Sequence, residues 1–154
     1  MTTAKRIILT ALLALYLPLA GADVEPRPAP KAEHPYADDW TPLFQENLSN
    51  AVDKEGVWSF TDGLLEPRED QILWSTRVYE TFIIDLEFRL GPGANSGIIV
   101  YGTDFRDWVS RSVEIQLLDD HSEDFKDHYR QGMCGAIYGH KAPVETHVVR
   151  EPGK

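Results

Sequence analysis

Cysteine is almost missing from this chain. Cys134 stands alone among 154 residues, so no internal disulfide can form and stability has to come from a packed core. A lone thiol between Met133 and Gly135 reads as a small buried apolar residue rather than as a nucleophile. Positive charge is also scarce, with 15 Lys and Arg against 25 Asp and Glu and a formal charge of -10. That balance repels phosphate backbones and anionic membrane surfaces. It argues against nucleic acid as a partner and suits a neutral ligand such as a sugar, or a cation. No apolar run reaches the roughly 20 residues a membrane-spanning helix needs, no internal repeat is visible, and no EF-hand or zinc spacing occurs.

What is present begins with an export signal. Lys5-Arg6 form a short positive region, Ile7 to Leu19 an apolar core, and Ala20-Gly-Ala22 a small-residue cleavage site. Cleavage after Ala22 is expected, which takes two positive charges and no acid from the total of -10 and leaves -12. The expectation is an exported protein, periplasmic or extracellular, with no stable membrane span after processing. Residues 23–39, with Pro26, Pro28, Pro30 and Pro35, read as an extended linker. The folded domain is expected over residues 40–154, starting at Trp40, Leu43 and Phe44.

From there the punctuation is that of short strands. Val57 to Thr61 reads as a strand, Asp62-Gly63 as a tight turn, and Leu64-Leu65-Glu66 as the return, ended by Pro67. Ile72 to Tyr79, Ile98 to Tyr101 and Gly135 to Tyr138 are further strand candidates. The polar stretch between Asp119 and Gly132 reads as a long loop or one helical turn. Alternation is strongest from Phe82 to Leu90, where Phe82, Ile84, Leu86, Phe88 and Leu90 share one side and Ile83, Asp85, Glu87 and Arg89 the other. In Val113 to Asp119 the same rule puts Glu114 and Gln116 together on one face. Gly91-Pro-Gly-Ala-Asn-Ser-Gly97 reads as a turn needing special backbone angles. Six or more short strands without βαβ alternation predict an all-β sandwich or barrel.

Several residues on this frame carry chemistry. A retaining glycosidase places two carboxyl groups about 5 Å apart and an inverting one roughly 6.5–9.5 Å. Alternate strand residues, about 6.6–6.8 Å apart, could supply such a pair, but here the positions read Glu114, Gln116 and Leu118, so the strand provides a single carboxylate. Glu114, Gln116 and Asp119 also have a plain reading as a solvated sheet face, and Glu87 with Arg89 as a surface pair. The acidic cluster Asp119, Asp120, His121, Glu123, Asp124, Asp127 and His128 is oxygen-rich enough to raise a divalent cation as a cofactor, although acidic loops are usually just solvated. Tyr101, Trp108 and Tyr138 are the aromatics placed to stack on a sugar ring, while Trp58 and Trp74 read as core. His140 and His147 read as surface or loop groups, although His140 follows Tyr138-Gly139, next to a candidate site.

The succession Trp40-Thr-Pro-Leu-Phe44, Gly56-Val-Trp58 with Asp62-Gly63, Leu73-Trp74, Phe82 to Arg89, Asn95-Ser-Gly97, Glu114-Ile-Gln116 with Asp119, Gly135 to Gly139, Pro143 and Pro152-Gly153 resembles the 3-keto-disaccharide hydrolase family. The resemblance covers nearly all of residues 40–154. It implies a concanavalin A-like jelly-roll sandwich, export from a bacterial cell, and cleavage of 3-keto-glycosides. Family members continue past the Pro-Gly element with a Trp-Asn pair and further strands, so the expectation is a fragment whose sandwich is incomplete at its C-terminus.

A ketone at C3 changes what the chemistry requires, because it acidifies the C2 proton and lets the glycosidic oxygen leave C1. One base and one group for the developing negative charge then suffice. The resemblance thus makes Glu114 the base, with Asp119 as the second catalytic candidate. Glu87, Arg89, Asn95, Gln116, Tyr101 and Tyr138 become candidates for holding the 3-keto-sugar. Two other readings fit the same residues: a non-catalytic carbohydrate-binding module, and a structural or interaction domain kept soluble by its acidic face.

Overall fold

The computed structural model describes residues 40–52 and 56–152, together with a backbone strand at 5–13. Nine strands carry it: β1 Lys5–Leu13, β2 Trp40–Pro42, β3 Ala51–Val52, β4 Trp58–Thr61, β5 Leu64–Pro67, β6 Trp74–Ser75, β7 Phe82–Leu90, β8 Asn95–Val100 and β9 Val113–Leu118. Among the described residues the only helical pieces are two 3₁₀ turns, Glu123–Phe125 and Arg130–Gly132. The class is all-β, as the turn spacing predicts. The linker at 23–39 lies outside the described residues. So does the segment that was expected to be an export signal, apart from β1.

The chain divides into two compact units, residues 1–88 and 89–154. In the first, β4 and β5 form an antiparallel hairpin with Phe60 opposite Leu65. Asp62 and Gly63 both take positive φ, 52° and 78°. This is the backbone of a type I′ turn, whose twist matches that of the strands it joins. β1 runs parallel to β2 and meets β5 at Ala11 opposite Leu65. Leu43, Phe44 and Leu65 are buried at the centre, with Trp58, Phe60, Leu73 and Phe82 packed against them. The strand predicted over Ile72 to Tyr79 shrinks to β6, two residues that pair with β3.

In the second unit β8 and β9 pair antiparallel over their full length, from Asn95 opposite Leu118 to Val100 opposite Val113. The turn read over residues 91–97 is shorter than predicted. Ala94 donates its N–H to the Gly91 carbonyl at 3.1 Å, and Asn95, Ser96 and Gly97 already belong to β8. Backbone pairing with β9 outweighs the turn propensity of these three residues. Residues 135–138 run along the other edge of β9. Gly135 N–H donates to the Gln116 carbonyl at 2.8 Å, Gln116 N–H to the Ala136 carbonyl at 3.0 Å, and Tyr138 N–H to the Glu114 carbonyl at 2.9 Å. This segment forms a bridge at Ile137 rather than the predicted strand, because the chain turns back at once and pairs Ile137 with Lys141.

This unit buries Leu117, Leu118, Met133, Cys134 and Ala136 together with Gln116, Asp119 and Asp120. Cys134 is the buried apolar filler expected of it. Burial pushes its thiol above the ordinary range, against lowering by a backbone hydrogen bond at Leu118 and with a smaller push from the charge of Asp120. It is poorly suited to act as a thiolate.

Candidate functional site

β8, β9 and the 135–138 segment lie side by side, so residues opposite one another share a face. Asn95 and Gly97 from β8, Glu114 and Gln116 from β9, and Tyr138 from the returning chain thereby collect on one surface. All of these except Gly97 border a hollow of about 270 Å³, whose rim is completed by Trp108, Val109 and Ser112 from the 101–112 loop and by His140. That is just under the usual range of small-molecule sites, which begins at about 300 Å³, and is on the scale of a single sugar ring.

Glu114 is the single carboxylate among the residues that line the hollow. Its side chain lies across Gly97. A Cβ at that position would overlap the carboxylate, with Cγ at 2.7 Å and Cδ at 2.8 Å. Glycine is needed there for close approach, because any larger side chain would displace the acid. Burial raises the Glu114 carboxyl above the usual carboxylate range, as expected for a charged group taken partly out of water.

Gln116 is 1% exposed. Its Nε2 donates to Asn95 Oδ1 at 2.8 Å, while its Oε1 is buried without a hydrogen-bond partner among the described residues. Tyr138 stands opposite Glu114, and the Tyr129 ring approaches it edge-on at 6.0 Å. A side-chain hydrogen bond to Tyr138, followed by burial and the charges of Tyr138 and Glu114, raises the Tyr129 hydroxyl above the ordinary phenol range. A hydrogen bond that favours the protonated form is one in which that group donates.

The remaining candidates lie elsewhere. Asp119 is buried, and both its oxygens are engaged: Oδ2 accepts from Gly93 N–H at 2.9 Å and Oδ1 from His121 N–H at 3.2 Å. Together with its own N–H bond to the Ala94 carbonyl at 2.9 Å, it clasps the turn that leads into β8. Glu87 is exposed on β7 in the first unit. Arg89, exposed at the start of the second unit, is not among the lining residues, and neither is Tyr101, 64% exposed at the end of β8.

The acidic segment does not converge on a cation. Among the described residues no group of three His, Cys, Asp or Glu side chains could hold a metal. Asp120 accepts from Cys134 and His147 N–H at 2.9 and 3.1 Å, His121 Nε2 meets the Val149 carbonyl, and Glu123 pairs with Lys126. These donors do not fit a metal centre, and no step is assigned to one. Two participants escaped the sequence reading. Tyr129 lies in a stretch that attracted notice for its acids, and nothing in the sequence distinguishes Gly97 from a turn glycine.

The 3-keto-alpha-glucoside-1,2-lyase-like domain model matches residues 39–154. The chain belongs to this family. Among solved structures, a candidate glycosyl hydrolase from Parabacteroides distasonis ATCC 8503 is 40% identical, with a TM-score of 0.66. The match covers 74% of this chain and 58% of that one, so the chain spans little more than half of its relative. No curated protein matches. Family membership and this neighbour agree with the all-β sandwich of concanavalin A-like type.

Proposed function

We propose that this chain acts on carbohydrate, and that its chemistry is cleavage of a glycosidic bond in a 3-keto-sugar with Glu114 as the base. The observation that carries this reading is the single partly desolvated carboxylate at the hollow, bracketed by an amide pair and the Tyr138 phenol. Glu114 takes the C2 proton, and the C2–H electron pair moves into the C2–C3 bond as the ketone oxygen gains charge. Collapse of that enolate forms C1=C2 and breaks the C1–O bond, so the glycosidic oxygen departs with the electron pair and picks up a proton. Water added later across C1=C2 makes the overall change a hydrolysis. Tyr138 is the donor placed to stabilise the enolate or to protonate the leaving oxygen.

The same base explains why one carboxylate is enough, where ordinary glycosidases need two. A raised carboxyl is also a stronger base than an exposed one, closer to the neutral pH at which proton transfer is efficient. Asn95 and Gln116 hold ligand hydroxyls, and Trp108 and Tyr138 offer apolar faces to the ring. Export, proposed from the signal pattern of residues 1–22, would accord with this reading.

Incubation with a 3-keto-disaccharide tests it. Release of the aglycone sugar, lost in Glu114→Gln, is the expected outcome. Full activity of that variant would overturn the assignment, and saturable binding without turnover would make the domain a carbohydrate-binding module instead.

A further inference from the structure

The two ends of the Gln116 carboxamide are not equivalent. Nε2 is held by Asn95 Oδ1 at 2.8 Å, while Oε1 is buried with no donor among the described residues. The residue cannot easily swing to repair this. Its N–H donates to the Ala136 carbonyl and its carbonyl accepts from Gly135 N–H, so the backbone is pinned on the 135–138 side while the side chain is tied to β8. Reversing the amide alone would set its oxygen against Asn95 Oδ1, two acceptors face to face, and only a joint turn of both carboxamides would exchange the two ends. A buried acceptor without a donor carries a desolvation penalty, and Gln116 borders the hollow into which a ligand could bring the missing proton.

We infer that Gln116 is a one-way acceptor that reads an unoxidised hydroxyl of the ligand, and that it thereby fixes the orientation in which an oxidised sugar can bind. This rests on the reading of the hollow as a sugar site. The chemistry is selective because a carbonyl cannot donate. A ketone turned toward Oε1 would add a second oxygen to an unpaired one, whereas a hydroxyl there satisfies it. An oxidised sugar must therefore present a carbinol carbon to Gln116 and turn its carbonyl elsewhere, toward the donor that Tyr138 supplies beside Glu114. In this way an amide that takes no part in proton transfer determines which C–H bond meets the base. Sites built to hydrogen-bond a hydroxyl discriminate far more strongly against its absence than apolar pockets do against an extra group.

The test is calorimetric titration of the full chain with methyl 3-keto-α-glucoside and its 2-, 4- and 6-deoxy and deoxyfluoro analogues, with turnover followed in parallel. A fluorine accepts weakly and donates nothing, so it separates the two directions of the bond. At one ring position the deoxy analogue is expected to bind about tenfold to a hundredfold more weakly than the parent, with the deoxyfluoro analogue at least as weak. Gln116→Met, which keeps the length but has no amide oxygen, should flatten the series to within about twofold. Gln116→Glu retains an acceptor and should preserve the loss, which keeps the inference exposed to test if the methionine variant does not fold. A deoxyfluoro analogue that outbinds its deoxy counterpart would mean that the amide donates, and would overturn the inference. Binding of the parent with a flat analogue series would overturn this inference alone, whereas no heat from the parent would remove the sugar reading and this inference with it.

Discussion

The two units are held together by different means. Among the described residues of 1–88 the buried side chains are apolar, Leu43, Phe44 and Leu65. In residues 89–154 three of the buried side chains are Gln116, Asp119 and Asp120, and two of these three are spent on the backbone. Asp119 closes the turn before β8, and Asp120 ties Cys134 and His147. Burying a carboxylate costs stability unless it is well hydrogen-bonded, and here each oxygen has a backbone donor. The first unit relies on apolar area, whereas the second adds fixed polar geometry to an apolar core of its own around Leu117, Leu118 and Ala136. A site needs that fixed geometry, because catalytic groups must be held to a fraction of an ångström.

The largest effect that would sharpen this contrast is chemical. Glu114→Gln preserves the shape of the side chain over Gly97 and removes the base, so the rate of 3-keto-glycoside cleavage should fall by about 10²–10⁴, with thermal denaturation little changed. Next in size is Leu65→Ala, which empties the apolar centre of the first unit. It should cost about 2–5 kcal/mol in chemical denaturation. If the change is well under 1 kcal/mol, area is not what holds that unit.

Asp120→Asn should cost about 1.5–3 kcal/mol, since an amide nitrogen cannot accept from Cys134 or His147 N–H as the carboxylate oxygen does. A neutral result there would break the claim that polar geometry holds the second unit. Gly97→Ala follows at about 1–3 kcal/mol from overpacking. Its distinctive mark is a fall in kcat larger than the stability loss explains, because the new methyl group displaces the Glu114 carboxylate.

The parts of this arrangement that were legible in the sequence follow from local rules. Asp62-Gly63 announced its hairpin because few dipeptides accept positive φ twice in succession, and the period-two pattern at Phe82 to Leu90 and Val113 to Leu118 fixed which residues share a face. That same pattern put Glu114 beside Gln116. What could not be read is pairing at long range. Tyr138 reaches Glu114 only because residues 135–138 lie antiparallel to β9, and Tyr129 reaches Tyr138 through a loop that periodicity does not describe. Asp119 was legible as a polar residue at a strand end, but its engagement with Gly93, 26 residues earlier, belongs to the register of β8 and β9. The strand expected over Ile72 to Tyr79 had good propensity, yet it found a partner only at β6, and context of this kind overrides propensity in sheets.

The smallest effect is also the one whose sign is most informative. Burial raises the Glu114 carboxyl in the folded chain, so the native state binds a proton more tightly than the unfolded state does. Its contribution to stability is therefore fully present below the unfolded value, near 4.5, and is lost as pH rises through the higher folded value. Above that range the desolvated charge is a cost, modest because the group remains partly open to solvent. Glu114→Gln removes the titration. Relative to the native chain, the variant should be slightly more stable at neutral pH, and the difference should shrink or reverse as the pH falls below 4.5. Activity runs the other way, since only the deprotonated carboxylate can take a proton from C2. Its acidic limb should fall off at a pH above the ordinary glutamate range. A stability difference that grows on acidification, or an acidic limb at or below pH 4.5, would mean that the Glu114 carboxyl is solvated rather than desolvated, and would leave the second unit without its base.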